Sequence, residues 1–271
     1  MKPAPFDYTR PATLETALVA LASSENSMVL AGGQSLLPLL NMRMARPALL
    51  VDIGRLDLRG IESLMGVVKV GALVTHLELE KSHDIIGRLP MLAVASHNVG
   101  HLAIRARGTI GGSLAHADPS AEELAAAATL DATVEVASPR GSRKIPAAEF
   151  AIGQWTTVLE HGDVITGVEF PVQAAGAGWG FAEFSRRAGD FALVGACALL
   201  WPGGGRLAGF GLTRTPVRID AALEGDDAAD VARKASLMVE IADDRDRLWR
   251  LSVFQAVVED AVTQARRRMR P

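Results

Sequence analysis

Val29-Leu30-Ala31-Gly32-Gly33-Gln34-Ser35-Leu36-Leu37-Pro38 sets the reading of the whole chain. The apolar run from Met28 to Ala31 predicts a buried strand that stops at two glycines. Ser35 stands where a following helix needs its N-cap. Paired glycines let the backbone approach a bulky ligand without Cβ clashes, and the free N–H groups of a helix start attract an anion. Gln34 and Ser35 add two uncharged hydrogen-bonding side chains, so a diphosphate suits the stretch. An ordinary strand–turn–helix corner is the plain alternative, and this stretch alone does not separate the two.

A second stretch shifts the balance. Arg107-Gly108-Thr109-Ile110-Gly111-Gly112-Ser113-Leu114-Ala115-His116-Ala117-Asp118 repeats the Gly-Gly-Ser pattern, with Gly108-Thr109 ahead of it. Ser120-Ala121-Glu122-Glu123 then opens an Ala-rich helix with acids in its first turn, as the helix dipole favours. Two glycine-rich loops of this kind suit a dinucleotide whose pyrophosphate is gripped from both sides. Neither carries Gly-x-Gly-x-x-Gly after a strand or Gly-Lys-Ser/Thr, which disfavours a Rossmann domain and a P-loop ATPase.

Ala31-Gly32-Gly33-Gln34-Ser35 and Thr109-Ile110-Gly111-Gly112-Ser113, at this separation, resemble the two FAD-binding motifs of the molybdenum hydroxylase flavoproteins, the family of carbon monoxide dehydrogenase and xanthine dehydrogenase. The chain is similar to that family's medium, flavin-carrying subunit. Lys2-Pro3-Ala4-Pro5-Phe6-Asp7-Tyr8, Leu39-Asn41-Arg43-Arg46-Pro47, Val51-Asp52-Ile53 and Gly178 to Phe184 extend the likeness, as do Arg186-Arg187 and Asp190 to Gly195. The fold it implies is α+β, a two-subdomain FAD-binding fold of the vanillyl-alcohol oxidase or PCMH type. Residues 1–172 would bind FAD, with subdomains of about 1–56 and 57–172. Residues 173–271 would form a C-terminal α/β domain with a three-stranded antiparallel sheet and helices.

The resemblance also implies a site. Leu30 to Leu36 would line the pyrophosphate cradle on one side, and Gly108, Thr109, Gly111, Gly112 and Ser113 would complete it from the other, with His116 and Asp118 nearby. Glu122 corresponds to an acid beside the pyrimidine edge of the flavin. Ile104 and Ile165 match apolar residues around the ring or the adenine. Phe191 falls where relatives shield one flavin face, and Ser185 and Arg186 lie near a flavin-contacting basic position. No catalytic acid, base or nucleophile and no metal ligand is expected in this chain.

The implied function is electron transfer. The chain would be the FAD subunit of a heterotrimeric hydroxylase, taking electrons from an iron–sulfur small subunit that serves a molybdopterin-containing large subunit. It would pass them to an external acceptor within a dimer of heterotrimers. A stand-alone flavin oxidoreductase of the same binding fold is the main alternative. A binding or assembly protein that has lost flavin is the other, and two intact loops argue against it.

Bulk composition agrees. The 271 residues are 49% hydrophobic and only 5% aromatic, so the core must rely on Ala, Leu and Val. A net charge of -3 calls for neither nucleic acid nor an anionic membrane. The cluster Arg266-Arg267-Arg268 with Arg270 reads as a solvated helix end. Cys197 is the one cysteine and sits in an apolar run, so it reads as a small buried hydrophobe. It can form no internal disulfide, which fits a reducing cytoplasm. An iron–sulfur cluster takes about four thiolates, so none belongs in this chain. No apolar run approaches the ~20 residues that span a bilayer, and no charged leader precedes an apolar segment.

Along the chain, Thr13 caps an amphipathic helix and Leu49–Ile53 closes a β-α-β unit. Ile61–Leu64 and Val67–Gly71 form a hairpin at Met65-Gly66. Thr75 caps a short helix, and Ile85–Ser96 forms a longer one. His97 and His101 have zincin-like spacing, but Asn98 replaces the general-base glutamate and Gly100 weakens the helix, so a helix–loop junction is the better reading. Strands are expected at Ala132–Ala137, Arg143–Ile145, Val164–Phe170, Trp179–Arg186, Ala192–Leu200 and Arg206–Leu212. Helices Ala228–Ala242 and Asp246–Met269 close the chain, the second with Leu248, Leu251, Phe254, Val258 and Val262 near one face.

Overall fold

Three main sheets follow one another along the chain, and the ligand-sized cleft opens between the first two. The computed structural model describes residues 2–220, 223, 227–241 and 246–269. The first unit runs β1 (Asp7–Thr9), α1 (Leu14–Ala22), β2 (Ser27–Leu30), α2 (Leu36–Asn41) and β3 (Leu49–Asp52), with both outer strands parallel to the central β3. Thr13 caps α1 through a reciprocal box with Thr16. Ala17 and Leu21 then seal against Val51 and Ile53 in a small core.

The second unit begins with the expected hairpin, β4 (Ile61–Leu64) and β5 (Val67–Gly71), turning at Gly66 with φ +83°. Six helices follow: α3 (His76–Lys81), α4 (His83–Arg88), α5 (Pro90–Asn98), α6 (Leu102–Arg105), α7 (Ile110–His116) and α8 (Glu122–Thr129). Then come β6 (Thr133–Ser138), β7 (Gly141–Pro146), a turn of helix α9 (Ala147–Phe150), the small hairpin β8 (Ala151–Gly153) and β9 (Thr156–Thr157), and β10 (Val164–Pro171). The antiparallel sheet has the order β4-β5-β10-β6-β7. All eight residues of α8 are buried, which explains its run of alanines: only small side chains let a helix be enclosed on every side.

The third unit comprises β11 (Gly178–Phe184), β12 (Val194–Trp201), β13 (Gly204–Phe210), β14 (Val217–Arg218), α10 (Ala228–Met238) and α11 (Arg247–Arg268). One face of its sheet, with Phe181, Cys197, Leu199 and Phe210, joins the core that contains α5 and α8. The other face, with Ala182, Ala196, Ala198 and Leu207, packs on α10 and α11. Gly178 and Gly180 make that packing possible. A Cβ on either would lie 1.9 or 1.8 Å from the carbonyl oxygens of Ala265 and Ala261 in α11.

Several expectations need correction. The helix expected over 85–96 is two helices, because Pro90 lacks the N–H that would continue α4 and instead starts α5. The expected three-stranded sheet has a fourth strand, β14, paired to β13 at Ala208 and Gly209. Leu248 is 85% exposed, since the buried face of α11 begins only at Phe254. The expected helix end at Ala242 and Arg270 of the terminal cluster lie outside the described residues. Most consequential, the second glycine-rich segment is not a loop: Gly111-Gly112-Ser113 lies in the first turns of α7.

Candidate functional site

The two glycine segments meet backbone to backbone. A Cβ on Gly32 would stand 2.1 Å from the carbonyl oxygen of Arg107 and 2.9 Å from Cα of Gly108, a gap that only glycine permits. Around this contact opens a cavity of about 480 Å³, within the ~300–1,000 Å³ typical of cofactor sites. Ala31 to Leu36 line it from the first unit, and Gly108, Thr109, Gly111, Gly112, Ser113, His116 and Asp118 from the second. Ile104, Glu122, Ile165 and Phe191 also border it. Three expected residues, Leu30, Ser185 and Arg186, do not. Leu30 ends β2 behind Gly33, and the half-buried Ser185 donates its hydroxyl to the Arg187 carbonyl at 3.1 Å.

The two segments present their polar groups differently. Gly33 turns the first segment with φ +74°, in the left-handed region. Ser35 occupies the N-cap position of α2 as expected, yet its side chain makes no capping bond. Among the described residues, neither the Ser35 nor the Ser113 hydroxyl has a hydrogen-bond partner, so both are open to a ligand. Thr109 is committed instead: its Oγ1 caps α7 by accepting from Gly112 N–H at 3.1 Å. Gln34 folds back, donating Nε2–H to the Gly32 carbonyl at 3.2 Å.

The loop after α7 is braced from outside. Ala117 (φ +48°) and Trp155 (φ +53°) are both left-handed, and the Trp155 N–H donates to the Ala117 carbonyl at 3.0 Å. Asp118 accepts from Ser120 N–H and from the Trp155 indole at 3.2 Å, so its carboxylate is already occupied. Opposite, the left-handed Gly189 (φ +84°) rests on the His101 ring, where a Cβ would approach to 2.2 Å. That contact seats the loop bearing Phe191, whose side chain stands 72% exposed at the rim. His97, the other half of the zincin-like spacing, pairs with Glu80 at 3.0 Å.

Two buried acids lie at the start of α8, and they serve different places. Glu122 borders the cavity; burial drives its pKa up to about 8, its own backbone N–H works against that, and Glu183, Glu123 and Asp118 add to the rise. Glu183 on β11 is likewise raised by burial, to about 7, and its Oε2 is buried with no partner. Glu123 is fully buried, with Oε1 accepting from Ser96 Oγ at 2.7 Å and 2.8 Å from His76 Nδ1. At the far side of the cavity, burial works against the charge on Asp163, but hydrogen bonds from Arg143 and Glu160 N–H overcome it and hold the carboxyl low.

Among the described residues the lining carries the acids Asp118, Glu122, Glu160, Asp163 and Asp190, three histidines, and neither lysine nor arginine. Sequence reasoning missed His76, Val99, Gly189 and the 159–164 segment as parts of this wall. Each reaches it through long-range packing that has no local signature. The residues present fit a flavin dinucleotide. A bare glycine cradle and two free hydroxyls suit a diphosphate, and Leu36, Leu39, Ile104, Val164 and Ile165 give an apolar wall for a flat ring.

A family described as the FAD binding domain in molybdopterin dehydrogenase matches residues 4–173. The 6-hydroxypseudooxynicotine dehydrogenase complex subunit alpha of Paenarthrobacter nicotinovorans is 44% identical over 202 residues, which is 74% of this chain and 68% of that relative. The caffeine dehydrogenase subunit beta of Pseudomonas sp. (strain CBB1) is 34% identical over 283 residues, covering 98% of this chain and 96% of its own. Among solved structures, a chain of the carbon monoxide dehydrogenase from Hydrogenophaga pseudoflava lacking the Mo-pyranopterin moiety is similar with a TM-score of 0.95 and 32% identity, over 100% of both chains. A chain of quinoline 2-oxidoreductase from Pseudomonas putida 86 is similar with a TM-score of 0.91 and 35% identity, again over 100% of both.

Proposed function

We infer the function from where the chain belongs: it is a member of the family of FAD-binding domains in molybdopterin dehydrogenase, an oxidoreductase component whose cofactor is FAD. Its relatives include medium chains of multi-subunit molybdenum enzymes. We propose that this chain is the FAD subunit of such a hydroxylase. It takes electrons from the iron–sulfur clusters of a small subunit, which receives them from a molybdopterin-containing large subunit, and passes them to an external acceptor. The assembly is a dimer of heterotrimers. The observation that carries this reading is the contact of Gly32 with Arg107 and Gly108, which brings both glycine segments to one cavity.

Bound FAD supplies the capacity to accept electrons singly and release them again. The chain's residues bind and orient it. Backbone N–H groups at the start of α2, with the Ser35 and Ser113 hydroxyls, meet the diphosphate. Ile104 and Ile165 pack on flat ring surface, and Phe191 covers one face at the rim. Glu122 hydrogen-bonds the polar edge of the flavin. Protonated, its carboxyl can both donate and accept there. Cys197 is buried and is the one cysteine, so iron–sulfur clusters belong to a partner. No helix among the described residues is long and apolar enough to cross a membrane, and we place the complex in the cytoplasm.

Affinity capture of the native chain, with flavin and metal analysis, tests the proposal. The expected result is stoichiometric FAD on this chain, with molybdenum and iron in the co-purifying subunits. A metal-free flavoprotein that alone turns over a small organic substrate would contradict it.

A further inference from the structure

Among the described residues the cavity wall holds neither lysine nor arginine, and its basic side chains are His76, His116 and His161. His161 is exposed and His116 is half-buried. His76 is different. It opens α3, is 4% exposed, and is held by groups deep in the core. Its Nδ1 lies 2.8 Å from Oε1 of Glu123, which also accepts the Ser96 hydroxyl at 2.7 Å. Glu123 has no lysine or arginine partner; nearby Arg105 and His97 are both turned to Glu80. A fully buried carboxylate facing one ring nitrogen fixes both the ring's orientation and which nitrogen faces outward.

The outward nitrogen, Nε2, has no hydrogen-bond partner among the described residues, and the ring lines the cavity. Gly108 makes room for it: a Cβ there would stand 2.6 Å from Nε2 and 2.7 Å from Cδ2. The His76 N–H donates to the Gly108 carbonyl at 3.1 Å, and Thr75 bridges to Thr109. The imidazole is thereby fixed to the same segment that brings Thr109, Gly112 and Ser113 to the cavity.

We propose that His76 contacts the diphosphate of FAD through Nε2, with Glu123 and Ser96 as positioning residues behind it. The inference rests on the FAD-binding reading above. It assigns a side-chain contact with the phosphates to a residue outside both glycine segments.

The test compares two flavins on the full-length chain stripped of cofactor. FAD and riboflavin, which has no phosphate, are titrated by fluorescence quenching against wild type, His76→Gln, Glu123→Gln and Ser96→Ala, with thermal unfolding to confirm that each variant folds. His76→Gln is expected to weaken FAD binding about tenfold or more, the size of one charge-assisted hydrogen bond, and to leave riboflavin within about twofold. Glu123→Gln is expected to weaken FAD about threefold to fivefold, again without moving riboflavin, since it disturbs the ring's orientation alone. If His76→Gln does not fold, the same selective loss is read from Glu123→Gln and Ser96→Ala. Equal losses for both flavins, or no loss for either, would overturn the inference while leaving the FAD reading intact. Wild-type protein that binds no FAD would overturn the reading on which it rests.

Discussion

Ala31-Gly32-Gly33-Gln34-Ser35 and Thr109-Ile110-Gly111-Gly112-Ser113 share a Gly-Gly-x-Ser or Gly-Gly-Ser core but fold by opposite means. The first is a half-buried turn whose shape depends on a left-handed Gly33, and its serine caps nothing. The second is a helix start capped by Thr109, with Gly111 buried directly against Ala72. One segment is built by backbone freedom and the other by packing, and both arrive at the same cavity wall. Resemblance in letters therefore marks a shared task, whereas the cost of altering each letter depends on what surrounds it.

Gly32→Ala should have the largest effect, because its Cβ meets the backbone carbonyl of Arg107 rather than a side chain that can move. The two units must part, so flavin affinity should fall by about a hundredfold or more and stability by ~1–3 kcal/mol. Gly111→Ala meets Ala72 Cβ at 2.7 Å and its carbonyl oxygen at 2.8 Å. It should lose a similar ~1–3 kcal/mol in urea unfolding with a smaller change in flavin affinity. Equal flavin losses in the two variants would erase the distinction drawn between the segments.

The second side is also the one that should answer to pH. Glu122 and Glu183 have folded-state pKa values raised to about 8 and about 7, so the folded protein binds more protons than the unfolded chain in between. Their contribution to stability is present below the ordinary carboxyl range and is lost as pH rises toward the folded values. Thermal unfolding of the flavin-free protein should shift to lower temperature between about pH 5 and about pH 8, with Glu122 the larger contributor. Glu122→Gln should flatten that fall. An unchanged profile in the variant would place the titration elsewhere.

Smaller effects separate the two hydroxyls. Thr109→Ala removes a working cap and should cost ~1 kcal/mol of stability. Ser35→Ala removes no cap, so stability should stay within ~0.5 kcal/mol while FAD binding weakens about fivefold. A destabilised Ser35→Ala with unchanged flavin affinity would reverse the assignment.

Local signals were legible where local physics decides. The hairpin at Met65-Gly66 and the caps at Thr13 and Thr75 appear as read, because turn chemistry and capping need only a few neighbouring residues. The parallel β-α-β unit followed from the run ending at Gly32-Gly33. Gly111-Gly112 read as loop because each glycine costs a helix ~1 kcal/mol relative to alanine. The Thr109 cap and the seat on Ala72 outweigh that propensity, and neither packing partner is near in sequence. The helix expected over 85–96 ignored Pro90, a signal that was present. Within the site, the motif residues were legible and their supports were not. Glu123 reaches His76 across 47 positions, and Trp155 reaches Asp118 across 37. Such pairings carry no periodicity or spacing by which a sequence could announce them.

Hydrogen exchange of the flavin-stripped chain, with and without one equivalent of FAD, tests most directly whether both glycine segments close on one cofactor. Peptides spanning 31–36 and 108–113 should slow together at a single stoichiometric point. Protection of one segment without the other would contradict the account.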